Sequence, residues 1–344
     1  MGTIDIRVIS FEDVSSIFAH NSKQIFSIVE DSFIKYYNGQ VILPTKISQI
    51  FDQATQNRIN CMPATLLSDK VSGLKWVSVF PTNAAKGLQN VSGISVLSEI
   101  ETGFPIAVLD STLLTNIRTA AVGSVAAKHL APSKVEKIGF IGGGAEARMH
   151  FTLLKAMFPS IKECRISSRS PKTEQGFIHT LETAAPDVKF VTCNGDNAKS
   201  TENADIIITA ISGQAPVLKA EYLKKGCLYI HVGGWEDEFA VPLKANKIVC
   251  DEWESCKHRT QTISQMYQKG MLKDEDIYAD LGEIITGQKT GRVNDDEIIY
   301  FNSVGLSFID LNFAYEVYKI AVKKGIGTVV SLSSRGETDY EGLL

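Results

Sequence analysis

The chain has 344 residues, 44% of them apolar and 22% charged, which is the balance of an ordinary globular protein long enough for two domains. Its net charge of −4, with no polybasic cluster, gives nucleic acid and anionic lipid nothing to bind. No apolar run approaches the ~20 residues that span a bilayer, and the first residues lack the basic and apolar regions of a signal peptide. The six cysteines (61, 164, 193, 227, 250 and 256) form no C-x-x-C pair, and the six histidines show no metal-ligand spacing. The expectation is a cytoplasmic protein with reduced thiols and no metal.

In chain order, residues 22–37 carry a helical period, and 73–80 and 93–98 alternate as strands do. Residues 111–130 form an Ala-rich helical run closed by Ala131 and Pro132. Short apolar runs at 137–141, 163–167, 189–192, 206–210, 228–232 and 247–250 then alternate with helical stretches. That rhythm predicts an α/β fold: a doubly wound parallel sheet of Rossmann type over residues 126–314. A helix at 311–324 and a strand at 328–332 follow. Residues 1–125 with 315–344 are then the second, substrate-binding domain, of mixed α+β character.

The first short strand runs into Gly142-Gly143-Gly144-Ala145-Glu146-Ala147, which contains G-x-G-x-x-A. Gly142 permits the tight turn, Gly144 lets the backbone approach a pyrophosphate, and Ala147 lets the helix pack close to the strand. With Ala145 and Glu146 these residues open a helix whose positive end suits a phosphate. A glycine turn alone is weak, but strand, turn, helix and second strand fall in the order a dinucleotide needs. The second strand ends in Ser167-Ser168-Arg169-Ser170, with no acid for a ribose 2′-hydroxyl. Ser168 and Arg169 suit a 2′-phosphate instead, so NADP(H) is favoured, with NAD(H) the alternative.

Upstream, Lys75 interrupts an apolar strand, and alternation puts it on the face of Val77 and Val79. Buried there it needs an anionic partner such as a substrate carboxylate; on the other face it would be a solvated lysine. Arg118 opens the Ala-rich helix and could grip a carboxylate in a bidentate pair, or make a surface salt bridge.

Lys75, the segment from Arg118 and Thr119 to Ala121, the glycine turn and Asn302-Ser303-Val304-Gly305 together resemble the ornithine cyclodeaminase/μ-crystallin family, over almost the whole chain. The resemblance implies a Rossmann domain joined to a dimer-forming substrate domain, hence a homodimer acting on a small amino-acid or imine substrate. Within the family the chain looks like the dehydrogenases that release 2,3-diaminopropionate and 2-oxoglutarate from N-(2-amino-2-carboxyethyl)-glutamate. The likeness lies in 58–63, 73–81, Asp251-Glu252-Trp253, 279–283 and 295–299. Ornithine cyclodeaminases carry arginine where this chain has Lys46 and glutamate where it has Asn60, which counts against a diamine substrate. The family pattern places a catalytic acid after the pair Gly233-Gly234, so Glu236 or Asp237 inherits the acid/base role. It assigns Arg118, Thr119, Ser303, Val304 and Gly305 to the cofactor. Lys75 and Arg118 are then the cations for an α-carboxylate, with Lys46 and Arg58 available for a second one. A ketimine reductase, a cyclodeaminase and a nonenzymatic NADPH-binding protein are the alternatives within the family.

Overall fold

The alternation that marks strands in the first third extends well beyond residues 73–80 and 93–98. The computed structural model, which describes residues 4–333 and Gly342, opens with β1 (Ile4–Ile9), α1 (Phe11–Phe18) and α2 (Ser22–Tyr37). Strands β2 (Val41–Ile42), β3 (Ile47–Asp52), β4 (Asn57–Leu66), β5 (Val71–Val79), β6 (Val91–Glu99) and β7 (Pro105–Asp110) follow, then α3 (Thr112–Leu130). Next come β8 (Lys137–Ile141), α4 (Ala145–Met157), β9 (Glu163–Ser167), α5 (Pro171–Leu181), β10 (Lys189–Thr192) and α6 (Asn197–Thr201). The chain continues with β11 (Ile206–Thr209), β12 (Leu228–His231), α7 (Ala240–Lys244), β13 (Lys247–Cys250), α8 (Trp253–Cys256) and α9 (Thr262–Gln268). It ends with β14 (Ala279–Asp280), α10 (Leu281–Ile285), β15 (Ile299–Asn302), α11 (Ser307–Lys324) and β16 (Thr328–Ser333).

Two compact units result. One holds residues up to 21, 38–115 and from 307 onward; the other holds 22–37 and 116–306. The chain changes unit inside α3, between 115 and 116, and again just before α11, between 306 and 307, whereas the sequence predicts boundaries at 125/126 and 314/315. Helix α2 goes with the second unit because it packs on α10, the Tyr37 hydroxyl donating to Asp280 Oδ2 at 3.3 Å.

In the first unit the sheet order is β16-β1-β7-β6-β5-β4-β2, with β3 also on β4. Strands β4, β5 and β6 are antiparallel, with Lys75 opposite Met62 and Ser95. Alternate residues of β4 (Asn60, Met62, Ala64, Leu66) are buried, as the two-residue period requires of a sheet covered on one face. Helix α11 packs on β4, β5 and β6, and its Phe313 meets Phe18 of α1 at 5.9 Å between ring centroids. The opposite face leaves Trp76 and Ile94 exposed on neighbouring strands, with Cys61 and Ile47 continuing the row.

In the second unit every neighbouring pair of the order β10-β9-β8-β11-β12-β15-β13-β14 is parallel. Strands β11, β12 and β15 are buried at every position, which explains the unbroken Ile206-Ile207-Ile208 run. The chain winds from β8 outward to β10, then returns to β11 and proceeds the other way. The switch therefore lies between β8 and β11, and the crevice at the carboxyl ends of those strands is where such sheets bind ligands. The doubly wound parallel sheet with a second mixed sheet is the architecture expected from the sequence. Among the described residues no helix is long and apolar enough to cross a membrane.

Candidate functional site

At the switch, β8 ends and the chain turns through Gly142, Gly143 and Gly144 into α4. Gly142 has φ +101°, and a Cβ there would stand 2.4 Å from the carbonyl oxygen of Ala210, so only glycine fits. Gly144 is the N-cap of α4; no side chain caps the helix, and nothing lies within 4 Å of where its Cβ would be. Ala147 is fully buried and Ala145 is exposed beside the turn. Glu146 turns back along the helix, its Oε1 3.1 Å from Nδ1 of buried His150. An uncapped helix start with room above it fits a pyrophosphate, which needs backbone N–H donors and a positive dipole end.

The neighbouring strand β9 delivers Ser168, half-buried, and Arg169, exposed. The Ser168 hydroxyl closes a tight turn, donating to the carbonyl of Ser170 and accepting from its N–H, both at 3.2 Å. No acid points outward here.

The loop after β15 carries Ser303, Val304 and Gly305. All three donate to one oxygen of buried Asp251, at 3.1 Å from the Ser303 hydroxyl and 2.8 and 3.0 Å from the N–H groups of Val304 and Gly305. Burial pushes the Asp251 carboxyl up, and those donors pull against it. Gly305 has φ +75°, and a Cβ on it would meet the Arg118 guanidinium at 2.6 Å. Arg118 therefore lies directly on this loop, and Thr119 beside it is buried.

The loop after β12 holds the two acids that follow Gly233-Gly234. Both have no exposed surface. Glu236 accepts from the Thr209 hydroxyl at 2.6 Å, the N–H of Ile211 at 2.6 Å and the N–H of Gly233 at 2.9 Å. Asp237 accepts from the hydroxyls of Thr262 at 2.6 Å and Tyr300 at 3.3 Å, and burial pushes its carboxyl up to about 6. His231 stands beside them, Nε2 3.5 Å from Glu236 and 3.7 Å from Asp237, with Nδ1 bonded to the Asn302 amide oxygen at 2.6 Å. The acids thus lie beneath the loop and hold it, rather than projecting from it.

In the first unit Lys75 sits on the buried face of β5, 2% exposed, as the alternation with Val77 predicts. Its ammonium donates to Asp310 Oδ1 at 2.6 Å and to the Thr115 hydroxyl at 3.4 Å. Asp310 is not among the site residues to which the sequence points. The available signal was an acid among Phe308, Ile309 and Leu311 in an apolar helical run. Arg58 shares the face of Lys75, four residues away in the pairing, and donates to the carbonyl of Gln56 at 2.9 Å. Lys46 is half-buried just ahead of β3, and Ser48 of that strand donates to the Asn60 amide oxygen at 2.8 Å.

A parallel sheet with a glycine turn and an uncapped helix at its switch point defines a dinucleotide-binding domain of Rossmann type. The chain belongs to the ornithine cyclodeaminase/mu-crystallin family, which it matches over residues 8–325. It is 32% identical over 331 residues to an alanine dehydrogenase of Archaeoglobus fulgidus, covering 95% of this chain and 98% of that protein. It is 30% identical over 279 residues to the N-((2S)-2-amino-2-carboxyethyl)-L-glutamate dehydrogenase of Staphylococcus aureus, covering 80% and 82%. Among solved structures, the Thermococcus litoralis Delta(1)-pyrroline-2-carboxylate reductase in complex with NADH and L-proline superposes with a TM-score of 0.88 at 28% identity, covering 94% of this chain and 99% of that one. The chain is an NAD(P)-dependent amino-acid or imine oxidoreductase of this family.

Proposed function

We propose that this protein oxidises the Cα–N bond of the glutamate part of N-(2-amino-2-carboxyethyl)-glutamate to an imine, passing the hydride to NADP+ as the favoured cofactor, and that water then hydrolyses the imine to 2,3-diaminopropionate and 2-oxoglutarate. The observation that carries the reading is the pair of basic residues on one face of the first unit's sheet, Lys75 with Asp310 as its counterion. Arg58 and buried Lys75 share that face, with Asn60, not an acid, between them on β4. A substrate bearing several carboxylates suits that face, whereas a second ammonium would find no acid at position 60. The Staphylococcus aureus relative supports the same substrate class.

The nicotinamide, when bound, accepts or supplies the hydride at the substrate Cα. Gly142, Gly144, Ala145, Glu146 and Ala147 build the turn that would hold its pyrophosphate, with Thr119 and the loop Ser303-Val304-Gly305. Ser168 and Arg169 would take the 2′-phosphate. Lys75 and Arg118 are the proposed cations for the α-carboxylate, and Lys46 and Arg58 serve the second one. Lys75, poised against Asp310, also moves the proton at the reacting amine. Glu236 and Asp237 act through the loop they hold. The exposed row Ile47, Trp76 and Ile94 is the proposed contact with a second copy of this chain, being an uncovered apolar face of a sheet.

A second reading, reduction of a cyclic imine, is favoured by the absence of an outward acid at β9 and by the likeness to the Thermococcus litoralis enzyme. The deciding experiment supplies purified protein with N-(2-amino-2-carboxyethyl)-glutamate and NAD+ or NADP+, following absorbance of the reduced cofactor. Turnover faster with NADP+ supports the proposal. No signal with either, alongside rapid reduction of a cyclic ketimine, replaces it with the second reading.

A further inference from the structure

An acid does stand near the end of β9, but it points inward. Glu174, in the first turn of α5, has no exposed surface. Its Oε1 accepts from the N–H groups of Ser168 at 2.9 Å and Gly195 at 2.8 Å, and its Oε2 from the N–H of Asn194 at 2.8 Å. One carboxylate therefore ties the turn after β9 to the turn after β10. Asn194 and Gly195 both have positive φ, 51° and 81°, so the second turn is tight as well.

A carboxylate without exposed surface is tolerated only where charged hydrogen bonds replace water, and three backbone donors do so here. Two consequences follow for whatever rests on this edge. The acid that would bond a ribose 2′-hydroxyl if it faced outward is withdrawn under the turn. The main-chain N–H of Ser168 is occupied and its hydroxyl is turned onto Ser170, so the turn presents the exposed Arg169 and Ser170 instead. The negative charge beneath is taken up by N–H dipoles and does not confront a phosphate above.

We infer that Glu174 is a positioning residue for cofactor choice: by bracing the two turns from below, it fixes the turn that carries Ser168 and Arg169 as a receptor for the 2′-phosphate of NADP(H). The inference rests on the NADP(H) reading proposed above and names what enforces it.

The test measures affinity, by calorimetry, for 2′,5′-ADP and for 5′-ADP in the wild type, Glu174→Gln, Arg169→Ala and the double variant. The wild type should prefer 2′,5′-ADP. Glu174→Gln should lower that preference about tenfold, the size of one charged hydrogen bond, while leaving 5′-ADP affinity in place. In the Arg169→Ala background the same change should move the ratio less than about twofold, because the two act through one contact. Should Glu174→Gln fail to fold, Glu174→Asp keeps the charge but is too short to reach both turns, and the ratio should still fall severalfold. A wild type with no preference overturns the NADP(H) reading and this inference together. A wild-type preference that survives the Glu174 changes overturns the inference alone. Equal loss of both ligands assigns Glu174 to folding only and overturns it as well.

Discussion

Removing the Asp310 carboxylate should destabilise the first unit, and removing the Lys75 ammonium as well should restore most of what was lost. The two side chains are 2% and 4% exposed and 2.6 Å apart. Asp310→Ala strands a buried ammonium, which typically costs ~3–5 kcal/mol out of a total stability of ~5–15 kcal/mol. At ~2–4 °C per kcal/mol for a chain of this size, the melting temperature should fall by about 10 °C. Lys75→Met with Asp310→Ala replaces the pair by apolar groups, removes the stranded charge and should recover most of that fall. Turnover should behave differently. Lys75→Met, alone or in the double variant, should lose about 100-fold or more, as for removal of a proton-transfer group. Thermal melts and initial rates on the four proteins make the comparison. Strictly additive losses of stability would refute the desolvated pair, and a Lys75→Met variant with normal turnover would refute its chemical role.

Four further outcomes are expected. Gly144→Ala should melt like the wild type, since nothing stands within 4 Å of the new Cβ, yet bind the dinucleotide at least about tenfold more weakly in a fluorescence titration; Gly142→Ala, forced against the Ala210 carbonyl at φ +101°, should lose ~3 kcal/mol or more of stability. Burial holds Asp237 at about 6 against 3.8, so the folded protein keeps a proton that the unfolded chain releases, and the stability it contributes is whole below pH ~4 and lost as pH rises through 6. With a shift of that size worth up to ~3 kcal/mol, Asp237→Asn should gain stability relative to wild type as pH rises from about 4 to about 6.5 in urea melts; a pH-independent difference would contradict it. Trp76→Asp should shift the proposed dimer to monomer in sedimentation, with the fold retained by circular dichroism, because Trp76 stands on the exposed face opposite Lys75; a dimer of unchanged affinity would place the contact elsewhere.

The second unit was the more legible half of the sequence, for physical reasons. Parallel strands buried on both faces are short apolar runs, and a glycine turn with a steric need for glycine leaves a fixed spelling. The first unit is harder to see. All six residues of β3 are exposed, so no alternation betrays the strand. Strand β4 contains Pro63, which argues against a strand interior until the pairing is known. It is tolerated because β3 covers residues 57–61 and β2 covers 65–66, leaving position 63 between them. The face of Lys75 could be read from alternation, but its partner could not. Asp310 lies 235 positions away, and nothing local announces which strand an acid on α11 will meet. The direction of Glu236 and Asp237 was equally hidden, because acids in a glycine-rich loop read as solvated or catalytic until their donors are placed.

Those acids belong to a wider arrangement around the crevice. Loops that follow parallel strands expose backbone N–H groups at the carboxyl edge of the sheet, and each such group needs an acceptor once it is shielded from water. Glu174 supplies one for the turns after β9 and β10, Glu236 for the loops after β11 and β12, and Asp251 for the loop after β15. In each case a buried carboxylate takes two or three N–H groups and joins one loop to another or to a strand end. Among the described residues, no carboxylate hydrogen bond reaches Gly142, Gly143 or Gly144, and α4 begins without a side-chain cap. The protein therefore supplies internal anions to the turns that frame the crevice and withholds one from the turn at its centre. A ligand carrying its own anion, such as a pyrophosphate, would complete that remaining turn, on an edge whose other turns already have their acceptors.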